Sequence, residues 1–285
     1  DWNDFTDWCE ANKLCPLPCK PEDIVNYIND LADNAKANTV SRRVTAISEN
    51  HIAGGYQENN PAKHVMVHNA MQAIRREKGT FQHGKAPILL ETLPLLADML
   101  SGSDLVTLRD KALLFLGFAG AFRRSELVAV QIEDLTFTTQ GMVVFIPQSK
   151  GDQLGAGSEI AIPYAPQKEI CAVRAVRNWM EAAGITSGPL FRGFKRNLQP
   201  RDTQLNDKAV AEIVKKYMAR LGLDPSDFAG HSLRRGFATS AAQHDLNTLE
   251  IMRQTRHKSE KMVHRYIEQG NLFKENALDK MFNKK

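Results

Sequence analysis

A break in helical periodicity early in the chain limits the fold more than any other feature of the sequence. Residues 77–87 read EKGTFQHGKAP, with two glycines, one proline and no apolar repeat, which is typical of a linker. Before it, residues 20–34, KPEDIVNYINDLADN, carry apolar side chains at helical spacing. A chain of 285 residues is longer than most single domains. We therefore predict a helical domain at 1–78, a linker at 79–87 and a second domain at 88–285.

The second domain combines helical patterns with one predicted hairpin. The helical patterns are LETLPLLADML, SDLVTLRDKALLFLGFAG, EICAVRAVRNWMEAAG, NDKAVAEIVKKYMARLG, LRRGFATSAAQ and LNTLEIMRQ. Between them, the β-branched runs 141–148 and 158–164 flank the glycine-rich segment 149–157, a pattern that predicts a β-hairpin with a long tip. The predicted fold is mainly α with a small antiparallel β-sheet, in which a helical N-terminal domain precedes an α+β domain.

The hydrophobic pattern of the chain predicts neither a membrane protein nor a secreted protein. The chain is 42% hydrophobic and 25% charged, as in ordinary globular proteins. No apolar run approaches the roughly 20 residues of a membrane span, and the first residues lack a signal-peptide pattern. We therefore predict an intracellular protein without a membrane partner. The chain begins at Asp1 rather than at methionine, so the sequence leaves open whether an additional N-terminal segment has been removed.

Neither a metal nor a cofactor is indicated by the sequence. Cys9, Cys15 and Cys19 lie in CEANKLCPLPC, which lacks the paired spacing of a zinc module and a nearby histidine, so structural thiols are favoured over a metal site. There is no acidic cluster spaced for two magnesium ions and no phosphate-binding loop of the G-x-x-x-x-G-K-S/T type.

Positive charge is concentrated locally, although the net charge is only +4. The run 191–201, FRGFKRNLQPR, could follow a phosphate backbone, and a solvated face is the alternative. A second basic pair lies in TVSRRVTAI of the first domain. The candidate DNA-binding residues are Arg42, Arg43, Arg75, Arg76, Lys78, Arg192, Lys195, Arg196 and Arg201.

Six polar residues of the second domain form a candidate catalytic set. His231 and Arg234 in GHSLRR are three residues apart, a spacing that places both on one face of a helix. In GAFRRSEL, Ser125 is the predicted N-cap of a helix that begins beside the two arginines. The set consists of Arg123 in this turn, Lys150 in the hairpin tip, His231, Arg234, His257 in TRHKS, and Tyr266 in MVHRYIE.

The order and spacing of these residues resemble the tyrosine recombinases, also called phage-type integrases. The resemblance spans about residues 88–282 and extends more loosely to TVSRRVTAI. Counting back from Ser125 and Glu126 selects Arg123 as the first arginine, with Arg124 as the alternative. Most members have glycine at the position of Arg256, and an arginine there predicts a turn without positive φ.

The resemblance implies a site-specific DNA recombinase that cleaves and rejoins strands through a 3′-phosphotyrosine, without metal or ATP. Arg123 and Arg234 would clamp the non-bridging oxygens, where negative charge builds in the transition state. Phenols, with a pKa of about 10, are poor nucleophiles at neutral pH, and a cationic surrounding favours the phenolate. Tyr266 would therefore attack from among these cations.

The remaining residues receive acid–base or orienting roles from the same resemblance. His231 would accept the phenolic proton or bind a phosphoryl oxygen, Lys150 would protonate the departing 5′-oxygen, and His257 would donate to a non-bridging oxygen. Glu126 would orient a basic side chain, and a glutamate favoured by the helix dipole is the alternative.

The resemblance also implies partners and an assembly. The partner would be double-stranded DNA with a specific recombination site, held in a C-shaped clamp by a homotetramer, with a monomer possible without DNA and a cytoplasmic, nucleoid-associated location. An apolar C-terminal set would dock on a neighbouring protomer or in cis: Leu272, Phe273, Leu278, Met281 and Phe282. Two other functions stay open, relaxation of DNA like a type IB topoisomerase and a catalytically silent DNA-binding regulator.

Overall fold

The computed structural model describes residues 1–80, 84–147, 157–270 and Met281. The chain divides into two compact units, Asp1–His83 and Gly84–Lys285. Lys150 and all but Met281 of the apolar C-terminal set lie outside the described residues.

In the described part of the first unit, residues 1–80, four α-helices pack around one apolar core. They are α1 (Trp2–Ala11), α2 (Pro21–Asn34), α3 (Ala37–Ala53) and α4 (Val65–Lys78). Helix α1 was not predicted. Helix α2 begins as its sequence indicates, because proline stands in its first turn and Asp23 accepts a hydrogen bond from the Lys20 amide. Phe5, Ile28 and Ile47 are fully buried between the helices.

The fold brings a histidine to one of the three N-terminal cysteines, although the two residues are 32 positions apart in the sequence. His51 Nε2 lies 3.2 Å from the Cys19 amide nitrogen and 3.5 Å from its Sγ. Burial raises the pKa of the Cys9 thiol to about 11 and that of Cys19 to about 12, so both are neutral. Within the described ranges, no three His, Cys, Asp or Glu side chains are placed to hold a metal ion.

In its described residues, the second unit is mainly helical with two small antiparallel sheets, and the predicted fold class is confirmed. Its helices are α5 (Thr92–Met99), α6 (Leu105–Ala119), α7 (Arg124–Ala129), α8 (Ala172–Ala183), α9 (Asp207–Arg220), α10 (Ser232–Gln243), α11 (Thr248–Thr255) and α12 (Glu260–Gly270). Its strands are β1 (Leu135–Phe137), β2 (Gly141–Ile146), β3 (Ser158–Pro163), β4 (Arg192–Phe194) and β5 (Pro200–Gln204). Over the part of the chain with described coordinates, no helix is long and apolar enough to cross a membrane.

The predicted hairpin is present as strands β2 and β3. Their register runs from Gly141 opposite Pro163 to Ile146 opposite Ser158, and β1 extends the sheet on the other side of β2. The second sheet, β4 with β5, was not predicted because its sequence is the polar run 191–201. Arg109 on α6 supports it by donating from Nη1 to the Arg192 carbonyl at 3.0 Å.

Helix α6 lies at the centre of the second unit and positions the turn that follows it. Asp104 caps its first turn by accepting a hydrogen bond from the Thr107 amide at 3.0 Å. Leu113, Leu114 and Leu116 are fully buried. The helix ends in a turn in which Ala121 has a φ of 45°, so the Ala121 carbonyl points toward the side chains of the following segments.

A glycine lets the beginning of the second unit cross directly over α10. The Ile88 amide donates to the Ser232 carbonyl at 3.0 Å. A Cβ on Gly236 would stand 1.7 Å from the Ile88 carbonyl oxygen, so no larger residue fits this crossing. The close approach fixes the start of α10, where His231 and Arg234 lie.

Candidate active site

One cavity of about 420 Å³ in the second unit brings together five of the six predicted catalytic residues. It lies where the α6–α7 turn, the start of α10, the α11–α12 turn and α12 converge. Its lining residues are Gly84, Lys85, Arg123, Ala229, His231, Arg234, Arg235, His257, Met262 and Tyr266. The sixth predicted residue, Lys150, is outside the described residues.

Arg234 supplies a buried cation with unused hydrogen-bonding capacity. Arg234 is 4% exposed, and its Nη1 donates to the Ala121 carbonyl at 2.7 Å. Its Nη2 is buried and has no hydrogen-bond partner among the residues that the structure describes. Burial and the charges of Arg123 and Arg256 lower the pKa of Arg234 to about 9. The side chain is still charged at neutral pH and is suited to an anion that enters the cavity.

Arg123 lines the cavity and is held by Glu126. Arg123, not Ser125, is the N-cap of α7. The Glu126 carboxylate accepts from the Arg123 amide at 3.0 Å and pairs with the Arg123 guanidinium. Burial alone would raise the pKa of Glu126, but the Arg123 amide and the charge of Arg256 lower it below its usual value. Arg124 instead pairs with Asp207 at 2.9 Å, so the geometry favours Arg123 as the arginine of the site.

His231 stands at the mouth of the cavity as the N-cap of α10. Its side chain keeps solvent exposure. Partial burial of its ring and the charges of Arg124 and Arg234 lower its pKa. The imidazole is therefore neutral at neutral pH and can accept a proton.

His257 is buried, and its hydrogen bonds determine which ring nitrogen carries the proton. Its Nδ1 lies 2.7 Å from Thr255 Oγ1, and that hydroxyl donates to the Ile251 carbonyl at 2.7 Å. A hydroxyl has one proton, so Thr255 accepts from His257 Nδ1–H and Nε2 carries the lone pair. Burial and the charge of Arg234 lower the pKa of His257 to about 4. In the free protein, Nε2 is thus an acceptor.

Tyr266 lies on α12 next to His257. The centroids of the two rings are 5.8 Å apart. The tyrosine ring is half-buried and packs beside a small core that contains Ala238, Ile251 and Val263. This core attaches α12 to α10 and α11 and brings the phenol to the cationic cavity.

The prediction of a turn without positive φ at Arg256 is wrong. Arg256 has a φ of 56° and ends α11 in the left-handed conformation, which costs an arginine roughly 1–2 kcal/mol relative to the right-handed one. The side chain compensates, because its guanidinium donates to the carbonyls of Gly120 and Gln254 and to the carboxylate of Glu126. The sequence analysis noted Arg256 as a departure from the family pattern, but it did not foresee the contacts of its side chain with Glu126 and with the α6–α7 turn.

The candidate DNA-binding residues of the first unit differ in how freely they are presented. Arg42 and Arg43 both pair with Asp1, at 2.9 Å and 3.2 Å. Arg75 donates to Ser41 Oγ at 3.1 Å. Arg76 and Lys78 at the end of α4 are exposed.

The candidate DNA-binding residues of the second unit lie on the β4–β5 hairpin. Lys195, Arg196 and Arg201 are exposed, and Arg201 Nε donates to the Phe194 carbonyl at 3.0 Å. Arg192 is different, because its guanidinium donates to the carbonyls of Pro189 and Ser187 and supports the preceding loop.

Comparison with known proteins gives consistent matches. The model of the phage integrase family matches residues 91–271. A protein of Selenomonas ruminantium named integrase/recombinase xerD homolog is 69% identical over 285 residues, 100% of this chain and 84% of that protein. Recombinase cre of Escherichia phage P1 is 24% identical over 86% of this chain and 75% of its own length.

A solved structure shows the same fold. The Tn1549 transposon integrase in complex with a circular intermediate DNA matches with a TM-score of 0.62 at 15% identity. The match covers 87% of this chain and 80% of that chain.

Proposed function

The chain belongs to the phage integrase family of tyrosine recombinases, and on this premise we propose that Tyr266 attacks a DNA phosphodiester within the cavity described above. The observation that carries the proposal is the buried Arg234 guanidinium, whose Nη2 lacks a partner in the described structure. It lines one cavity together with Arg123, two histidines and the phenol. This set offers cations for the phosphoryl oxygens, a proton acceptor and a nucleophile.

Cleavage proceeds by one substitution at phosphorus. The phenolic oxygen of Tyr266 forms a bond to the phosphorus as the bond to the 5′-oxygen breaks, and the phenolic proton passes to neutral His231. Arg234 and Arg123 stabilise the charge that develops on the non-bridging oxygens. Lys150, assigned from the sequence alone, gives a proton to the departing 5′-oxygen. The products are a 3′-phosphotyrosine and a free 5′-hydroxyl.

His257 requires a proton before it can donate to the phosphate. Its Nδ1–H is bonded to Thr255, so donation from Nε2 requires the imidazolium. An incoming phosphodiester brings negative charge, which raises the pKa of a neighbouring imidazole. We assign His257 as a donor to a non-bridging oxygen in the DNA complex and as a neutral acceptor without DNA.

Rejoining uses the same groups in reverse. The 5′-hydroxyl of a second strand attacks the phosphotyrosine, the P–O bond to Tyr266 breaks, and the phenolate recovers its proton. Because the covalent link retains the energy of the broken phosphodiester, no ATP is consumed. Strand exchange between two duplexes needs four active sites, so we propose a homotetramer on double-stranded DNA. The first unit would contribute the other half of a clamp, and the protein would work in the cytoplasm, associated with the nucleoid.

Site-specific exchange is favoured over the two other functions. A silent regulator would have no need to keep a nucleophile, a neutral base and a buried guanidinium in one cavity. A relaxing enzyme of the type IB kind would use the same chemistry as a monomer. The 69% identity with a protein named integrase/recombinase xerD homolog supports recombination.

The covalent step is tested with a pool of DNA duplexes that have a randomised centre and one nick. Cleavage near the nick releases a short 5′-hydroxyl fragment that dissociates, so the 3′-phosphotyrosine persists in denaturant. We expect an adduct with the native protein and none with Tyr266→Phe, and sequencing the adduct DNA gives the target site. Equal adduct from both proteins would exclude Tyr266, and none from either would exclude the reaction.

A further inference from the structure

Arg256 is held in a buried polar cluster that the cleavage mechanism does not use. Its side chain is 10% exposed. Nη1 donates to the Gly120 carbonyl at 3.0 Å and to the Gln254 carbonyl at 2.8 Å. Nη2 donates to Glu126 Oε2 at 2.8 Å and to the Ala121 carbonyl at 3.3 Å. Both terminal nitrogens are thus engaged by protein oxygens, and Arg256 does not line the cavity.

Glu126 joins Arg256 to the site. One carboxylate oxygen pairs with the Arg123 guanidinium, and the other accepts from Arg256. The Glu126 side chain is 3% exposed, and its lowered pKa keeps the carboxylate charged. The ion pairs therefore link the α11–α12 turn to the α6–α7 turn through one carboxylate.

The position of Arg256 in the chain gives this link a consequence for the site. Arg256 directly precedes His257, and the helix that follows carries Tyr266. The α6–α7 turn carries Arg123 and, at Ala121, the carbonyl that holds Arg234. A movement of the α11–α12 turn would thus shift the phenol relative to both guanidiniums.

The backbone conformation supports a role for the side chain. At a φ of 56°, glycine carries less strain than arginine. Arg256 therefore carries local backbone strain that a glycine would avoid, and only its side-chain contacts offset that strain. Its guanidinium also lies over the Phe122 ring, 5.2 Å from the centroid, so the whole side chain is fitted to the α6–α7 turn.

We propose that Arg256 is a positioning residue. Its ion pair with Glu126, called the grip below, holds His257 and the Tyr266 helix in register with Arg123. The proposal rests on the proposed function, since register between nucleophile and cations matters only if they act on one phosphate. The grip acts on the rate of the covalent step, because small displacements of reacting groups reduce rates strongly.

The test compares Arg256→Gly with Arg256→Lys on the nicked, randomised DNA pool. Glycine relieves the backbone strain and removes the grip, so we expect the adduct rate at saturating DNA to fall about 10- to 100-fold. DNA affinity should change by less than about threefold, because Arg256 is buried away from the cavity. Lysine can reach Glu126 but lacks the planar fork, so partial recovery is expected. Arg253→Ala removes the same charge from an exposed position of α11 and should react like the native protein.

A double-mutant cycle with Glu126→Gln identifies the partner. If Arg256 acts through Glu126, the double variant Arg256→Gly/Glu126→Gln should be little slower than the slower single variant. Native rates in Arg256→Gly, or losses that multiply, would overturn the proposal. Should Arg256→Gly not fold, as judged by circular dichroism, the cycle is run with Arg256→Lys.

The thermal unfolding of the native protein and the variants is also measured without DNA. The coupling between Arg256 and Glu126 in unfolding free energy does not depend on catalysis. Coupling in unfolding, with no adduct from the native protein, would reject the proposed function while leaving the grip intact. An adduct from the native protein without any coupling would reject the grip alone.

Discussion

At the scale of single residues, the charges of three guanidiniums act on one histidine of the site before any DNA arrives. Arg123, Arg234 and Arg256 each lower the pKa of His257, after the larger effect of its burial. In the free protein, His257 is therefore neutral and its Nε2 is an acceptor, so it cannot donate to a phosphoryl oxygen in that state. We therefore expect His257 to take up a proton when DNA binds, because the phosphate supplies the negative charge that favours the imidazolium.

This arrangement predicts a pH-dependent stability. His257 has a pKa of about 4 in the folded chain against 6.5 ordinarily, so the unfolded state binds the proton first as pH falls. Stability contributed by the neutral ring is present above pH 6.5 and is lost between pH 6.5 and 4, by up to about 3 kcal/mol. Urea unfolding across this range measures it.

The matched control separates His257 from the other histidines. His257→Gln should flatten part of this dependence, whereas His264→Gln, on the exposed face of α12, should not. An NMR titration of the His257 ring with a midpoint at or above 6.5 would contradict the buried neutral state.

At the scale of elements, the crossing of the 84–90 segment over α10 depends on one glycine. Gly236→Ala places a Cβ 1.7 Å from the Ile88 carbonyl oxygen, so the backbone must move. We expect a loss of at least about 2 kcal/mol in unfolding free energy, together with lower cleavage, because the start of α10 carries His231 and Arg234. Differential scanning calorimetry and adduct formation measure the two effects.

Gly193→Ala is the comparison for this variant. Its Cβ would meet only Arg201, with Cδ at 3.6 Å, so stability should stay within about 0.5 kcal/mol of the native protein. If both alanine variants were equally stable, the close crossing would not be a constraint.

Elements with strong periodicity were predictable, and those defined by tertiary contacts were not. Helix α6 and the β2–β3 hairpin follow from their apolar patterns. The β4–β5 hairpin has a polar sequence and is supported by Arg109 from a distant helix, so no local pattern indicates it. The family, the fold class and the reaction class are confirmed.

The site was predictable to a different degree. Motif spacing selected five residues that the fold brings into one cavity. Their chemical roles stay predictions. The Arg256–Glu126 link spans 130 positions, and neither residue has a local pattern that reveals the other. The left-handed conformation of Arg256 was mispredicted because backbone preference alone neglects what the side chain gains from its buried partners.

At the scale of the whole molecule, the covalent intermediate has two possible fates: the break is closed by the hydroxyl of the same duplex or by that of a second duplex. If four protomers hold two duplexes, the hydroxyl of the other duplex is adjacent, and joined products should form from two different duplexes that share the selected site. We expect the yield of joined product to rise more steeply with protein concentration than the yield of adduct, because exchange requires assembly. Electrophoresis of differently labelled duplexes measures both yields.

Relaxation of supercoiled DNA without strand exchange is the outcome that would contradict this prediction. If plasmid supercoils were removed at low protein concentration and no joined product formed at any concentration, the protein would act as a monomeric relaxing enzyme. Tyr266→Phe is the control in both assays and should support neither.

The Nη2 of Arg234, which has no hydrogen-bond partner among the described residues, has a consequence for anyone who improves this protein by directed evolution. A buried cation among other cations weakens the resting fold, and an apolar side chain of similar length, such as methionine, would relieve that burden. A screen that rewards heat resistance alone would therefore enrich replacements at Arg234 and return sturdy proteins with no activity. Selection has to demand joined DNA in the same round as survival at high temperature.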